Sequence, residues 1–175
     1  MRKIYLFLLI ALMFILVSCT NDSDANQDVE DIKGLVHSYS IGQFSDDVSA
    51  SITSHELIVN ENGEEEIYDI SAEDFFVSIA PFKTTTHECA IHSLTGCQGE
   101  LVEDTFQVHI EDEQGEVIID EEMSTLANGF IDLWLPRERT YHVRFEQDDY
   151  LAEGEISTFE NDDTCITTMQ LKDQT

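Results

Sequence analysis

Apolar and polar positions alternate with a different period in each part of the chain. Val29, Ile32, Leu35, Val36 and Tyr39 recur at the spacing of one helical face, and Gly42 is placed to close it. The pattern predicts a short helix over 28–41. From residue 50 the period shortens. Ile52–Val59 and Glu66–Ile70 flank Asn60-Glu61-Asn62-Gly63, which is a hairpin signal. Asp74–Ile79 reads as a third strand that stops near Pro81. Residues 84–100 carry no period, and their polar residues and glycines predict an ordered loop. Beyond residue 101 strict alternation sets in. Phe106, Val108 and Ile110 oppose Gln107, His109 and Glu111, and Gln114-Gly115 makes a turn before Val117 and Ile119. Phe130–Leu135 follows Asn128-Gly129. Tyr141, Val143 and Phe145 oppose His142, Arg144 and Glu146, and Leu151–Phe159 and Cys165–Leu171 complete six short strands. The expected fold is an α+β N-terminal part followed by a mainly antiparallel, β-sandwich-like C-terminal part.

The first residues follow another logic. Arg2 and Lys3 precede an apolar run over 4–17, too short to span a bilayer comfortably and the right length for a secretory leader. The run ends Leu16-Val17-Ser18-Cys19, which resembles a bacterial lipobox with Cys19 as the lipidated residue. The chain is therefore expected to comprise a leader over 1–18 and a polar tether over 19–28. A small α+β domain over 29–83, a Cys/His loop over 84–100 and a sandwich-like domain over 101–172 follow. The expected place is the outer face of the cell membrane, held by lipid.

Charge removes one class of partner. The chain has 8 Lys+Arg against 37 Asp+Glu, a formal charge of −29, and loss of the two leader cations takes it to −31. Nucleic acid requires a basic face, so it is not a partner. Such a surface repels anions and concentrates cations, although solubility alone also accounts for it. No calcium loop is present. Asp22-Ser23-Asp24-Ala25-Asn26 begins like one, but Gln27 replaces the turn glycine and Lys33 the bidentate glutamate. Carboxylates are too numerous for any pair to be specific, and no nucleophile elbow or phosphate loop occurs.

Cysteine count points to thiol chemistry. With Cys19 used for lipid, Cys89, Cys97 and Cys165 remain, an odd number outside the cytoplasm. At least one thiol is free, joins another molecule or binds a metal. The loop also holds His87 and His92. Thiolate and imidazole together suit cuprous ion, and zinc accepts the same donors. A plain disulfide between Cys89 and Cys97, with Cys165 buried and inert, fits the same residues, as does a thiol–disulfide exchange couple. His37, His55, His109 and His142 read as solvated, and Met123, Met169 and Trp134 as core.

Three stretches carry a resemblance. They are His87-Glu88-Cys89-Ala90-Ile91-His92-Ser93-Leu94-Thr95-Gly96-Cys97-Gln98-Gly99-Glu100, Asn128–Pro136, and Asp162–Leu171. Together they resemble the CueP family of exported copper-binding proteins over roughly 28–172. The resemblance implies copper binding in the cell envelope and a role in copper tolerance, with Cys89, Cys97 and Cys165 as key residues and His87 and His92 as candidates by proximity. It also implies reduction of cupric to cuprous ion by the thiols, renewal by a thiol reductant, transfer to an exported cuproenzyme, and a chain that dimerises. The expectation is binding without enzymatic turnover. The lipobox departs from the best-known members, which are soluble in the periplasm, and makes sequestration the leading role.

Overall fold

In a computed structural model the described residues are 32–175, and Lys33–Thr175 form one compact unit. The leader, the lipobox with Cys19 and the tether lie outside the described residues.

Helix α1 occupies 32–40 and ends as the sequence predicts. Gly42 has φ +78°, a left-handed conformation that costs glycine little, and its N–H donates to the Tyr39 carbonyl at 3.0 Å. Strands β1 (Val48–Ile52), β2 (Glu56–Glu61) and β3 (Glu64–Asp69) form an antiparallel meander. The β2–β3 turn is Asn62-Gly63, with φ +54° and +83°. Two positive values define the tight turn that matches strand twist. One expectation changes here. Ile52–Val59 is not one strand, because the chain reverses at Thr53-Ser54-His55. Thr53 Oγ1 accepts the Glu56 N–H at 2.9 Å, and the Thr53 N–H donates to the Glu56 carbonyl at 2.8 Å. That local bonding replaces a straight ladder with a turn.

Strand β4 (Phe75–Ile79) joins no sheet with the meander. It lies at the centre of a three-stranded sheet, antiparallel to β8 (Ile131–Leu135) and parallel to β11 (Cys165–Ile166). All five β4 residues are buried, so both faces of the strand are covered. The short β5 (His92–Ser93) adds to the edge of β1. The remaining strands are β6 (Thr105–Asp112), β7 (Val117–Ser124), β9 (Thr140–Gln147), β10 (Tyr150–Ser157) and β12 (Lys172–Asp173). They form a sheet in the order β12-β10-β9-β6-β7.

The larger core lies between this five-stranded sheet and one face of the three-stranded sheet. Phe75, Val77, Ile79, Ile131, Leu133 and Leu135 pack against Phe106, Val108, Ile110, Tyr141, Val143 and Phe145. Full burial of side chains this size contributes roughly 1.5–3 kcal/mol each. The architecture is the helix followed by mainly antiparallel sheets that the alternation predicts. The expected strand Cys165–Leu171 is shorter than its pattern: β11 ends at Ile166, and only a bridge from Phe82 to Gln170 and β12 continue the pairing.

Candidate metal centre

The opposite face of the three-stranded sheet carries different chemistry. Phe76 and Ser78 project from β4 to that side, as do Asp132 and Trp134 from β8, because strand side chains alternate, and Ala80 and Phe130 lie just beyond the strand ends. Cys165 is paired with Ser78 and shares the face. Ala80, Phe130 and Cys165 form a small buried cluster, with Cys89 and Cys97 packed against it.

Long-range bonds bring the loop to this face. Thr86 Oγ1 donates to the Thr167 carbonyl at 2.8 Å, and Thr167 Oγ1 donates to the His87 carbonyl at 2.6 Å. The Ala90 carbonyl accepts N–H groups from Thr164 at 2.9 Å and Cys165 at 3.1 Å. Buried Thr164 is a hub. Its Oγ1 donates to the Ile52 carbonyl at 2.6 Å and accepts the His92 N–H at 3.0 Å. After β5, the Gly96 and Cys97 N–H groups donate to the Ser93 carbonyl at 3.2 and 2.9 Å. This single turn folds Cys97 back so that its sulfur accepts the Ser93 N–H at 3.4 Å. At the loop's end Gly99 donates to the Asn128 carbonyl at 2.7 Å and lies against Gly129. A Cβ on Gly99 would stand 2.4 Å from the Gly129 oxygen, so this backbone contact requires glycine.

The result is a four-donor cluster. One donor atom each from His87, Cys89, Cys97 and Cys165 lie within 4.8 Å of one another. Cys165 therefore reaches the loop within one chain. The Cys89 and Cys97 sulfurs are 3.5 Å apart, and all three cysteines are free. His92, which the sequence offers as a fifth donor, stands behind the cluster. Its Nδ1 is 3.5 Å from Cys165 Sγ, and its ring is fully buried. His87 is exposed, with its ring 6.4 Å from Phe130.

The three sulfurs differ electrostatically. A hydrogen bond from Cys165 draws Cys97 far below the ordinary thiol range, to about 3, against the opposing effect of burial; His92 and the Ser93 N–H add to the lowering. Cys165 moves the other way, because its proton is held by Cys97 and its surroundings are buried. Burial also raises Cys89. Ionisation is thus favoured at Cys97 over its two neighbours. Beside Cys89 and Cys165 opens a cavity of about 370 Å³ that also meets Glu155, Asp162 and Asp163. Its acidic wall favours approach by cations. Three sulfurs and an imidazole suit a soft cation such as cuprous ion, and the same donors accept zinc.

Sequence reading missed Ser78 and Asp132, the polar pair beneath the cluster. The available signal was two polar side chains inside otherwise apolar strands. It also missed Glu100, whose carboxylate accepts the Lys83 N–H at 2.6 Å and the Thr84 N–H at 2.9 Å, together with the Thr84 hydroxyl. Among the other histidines, His109 lies near Glu111 and Asp120 at 3.5 and 3.6 Å, and His55 bonds with Ser54 at 3.0 Å.

Comparison with known proteins agrees with this geometry. The family described as periplasmic copper-binding protein CueP matches residues 36–170. A solved structure titled as the crystal structure of S.CueP superposes with a TM-score of 0.76 at 30% identity, covering 87% of this chain and 99% of that one. No curated protein matches the chain.

Proposed function

The chain belongs to the CueP family, and on that premise we propose that it binds copper outside the cytoplasm through Cys89, Cys97 and Cys165, with His87 completing the donor set. The observation that carries the reading is the convergence of three sulfurs and one imidazole nitrogen within 4.8 Å. The soft donors select cuprous ion, and the acidic cavity beside them gathers cations. Anchored by lipid at Cys19, the protein sequesters copper at the outer face of the membrane.

The same thiols can also supply electrons. Two cupric ions take one electron each from Cys89 and Cys97, whose sulfurs join as a disulfide while the thiol proton leaves to water. The sulfurs start 3.5 Å apart and close to about 2.05 Å. Oxidation removes two of the three sulfurs from the donor set, which favours release of cuprous ion to an exported cuproenzyme. An external thiol reductant restores the pair. A second copy of the chain is a further expected partner.

Titration of the reduced protein with cuprous ion against a chelator of known affinity tests the reading. Tight binding should weaken by about tenfold or more in each of Cys89→Ser, Cys97→Ser and Cys165→Ser. Equal weak binding in all four proteins would overturn it, and parallel zinc competition decides the metal. Free-thiol counts after mixing with cupric ion test the redox step, which unchanged thiols would exclude. One observation favours a second reading: the depressed Cys97 sulfur lies beside Cys89, as in an exchange couple. That reading expects exchange with a model disulfide in the absence of copper.

A further inference from the structure

His92 is wholly buried and touches Cys165, yet it lies outside the four-donor cluster. Its ring centroid is 4.6 Å from that of Phe130 and 6.1 Å from that of Phe76. In the three-stranded sheet Ser78 pairs with Asp132, and Phe76 and Phe130 stand at diagonal corners beside that pair. A ring in contact with both therefore sits over Ser78 and Asp132. Ser78 Oγ donates to Asp132 Oδ1 at 2.6 Å. The other carboxylate oxygen, Oδ2, is buried without a hydrogen-bond partner, and so is His92 Nε2. Native proteins rarely leave such atoms unpaired, and a single bound water is the ordinary bridge between two of them.

Proton positions then follow from the sulfurs. A Cys165 sulfur that binds a metal has lost its proton. Toward His92 the Cys165 sulfur can only accept, so Nδ1 must carry the hydrogen. Nε2 then presents a lone pair, and Asp132 Oδ2 is also an acceptor. Water has two hydrogens for two acceptors.

We propose that Asp132 and His92 are a positioning pair for Cys165, in which one water donates to Asp132 Oδ2 and His92 Nε2, fixing the imidazole proton on Nδ1 and aiming it at the Cys165 sulfur. The pair touches no metal. It acts through Cys165, the most buried of the three sulfurs. An N–H directed at that sulfur stabilises the thiolate that a metal requires. The inference rests on Cys165 being a copper-binding sulfur.

Nitrogen NMR of the cuprous-loaded protein tests the arrangement directly. His92 should be the neutral tautomer with hydrogen on Nδ1, and Asp132→Ala should disturb that assignment. A wild-type protein with the hydrogen on Nε2 overturns the proposal. Cuprous competition adds a second arm. His92→Phe keeps a ring but loses the donor, and should weaken binding about 10- to 100-fold. His92→Asn, with an amide N–H near the Nδ1 position, should recover most of that loss. Unchanged affinity in His92→Phe, or no recovery in His92→Asn, counts against the pair. If the wild-type protein itself lacks cuprous affinity, the copper reading falls and the pair with it; if it binds cuprous ion with the hydrogen on Nε2, the pair alone falls.

Discussion

The five-stranded sheet and the cysteine face are built by different means. In the sheet, long neighbouring strands share continuous ladders, such as the eight pairs from Tyr150↔Gln147 to Ser157↔Thr140. Alternate side chains of β6 and β9, such as Phe106, Val108, Tyr141 and Val143, join one apolar core. At the cysteine face the strands carrying His92 and Cys165 are two residues long, and a ladder of that length holds little. Position there depends on single bonds between distant residues, with Thr164 reaching Ile52 and His92, and Thr167 reaching His87. The sheet spreads its stability over many equivalent contacts. The site concentrates its geometry in a few, so the two should respond differently to damage.

The largest effect belongs to the sheet. Phe145→Ala removes a fully buried ring from the larger core and should cost about 3–5 kcal/mol of stability, measured by denaturant unfolding. Cuprous affinity of the fraction that remains folded should not change. If affinity falls with stability, the two regions are one cooperative structure and the contrast fails.

Thr164→Val reverses the pattern. The side chain keeps its volume, while the His92 N–H and the Ile52 carbonyl lose their hydroxyl partner in a buried place. A cost of about 1–3 kcal/mol is expected, smaller than that of Phe145→Ala. Cuprous affinity should nevertheless drop, because His92 and Cys165 both hang from this residue. Lost stability with unchanged affinity would show that the site tolerates displacement of its strands.

The same contrast governs what could be read from sequence. Alternation at Tyr141, Val143 and Phe145 marks β9, because half-buried strands impose a period of two. Asn62-Gly63 and Gly42 announce their turns because few residues accept positive φ. The three cysteines and His87 were legible as chemistry, and their motifs as a family resemblance. Their convergence was not legible, since nothing near Cys165 specifies that its strand runs parallel beside β4. Thr53 broke Ile52–Val59 through a side-chain bond that leaves no mark on hydrophobic periodicity. Asp132 and Ser78 were not singled out, because the pattern does not reveal that both faces of the three-stranded sheet are covered.

The smallest effect concerns Glu100, which clasps the two ends of the loop. Burial alone would raise its carboxyl, but hydrogen bonds from the Thr84 hydroxyl and the N–H groups of Thr84, Lys83 and Thr85 outweigh it and hold the group at about 2. A carboxyl lowered by folding contributes stability that is fully present above its unfolded value, near 4.5. That contribution fades as pH falls toward 2 and is gone below it. Exposure makes it modest, since water screens the charge. Glu100→Gln removes the charge at every pH, so the substituted protein should lose less stability than wild type between about pH 4.5 and 2. Near neutrality the clasp should show locally instead. Amide hydrogen exchange at Lys83 and Thr84 should accelerate in Glu100→Gln, while amides in β9 stay protected. Unchanged exchange at both loop amides would mean that Thr86 and Thr167 hold the loop without the clasp. The site's dependence on single bonds would then extend to one end of the loop only.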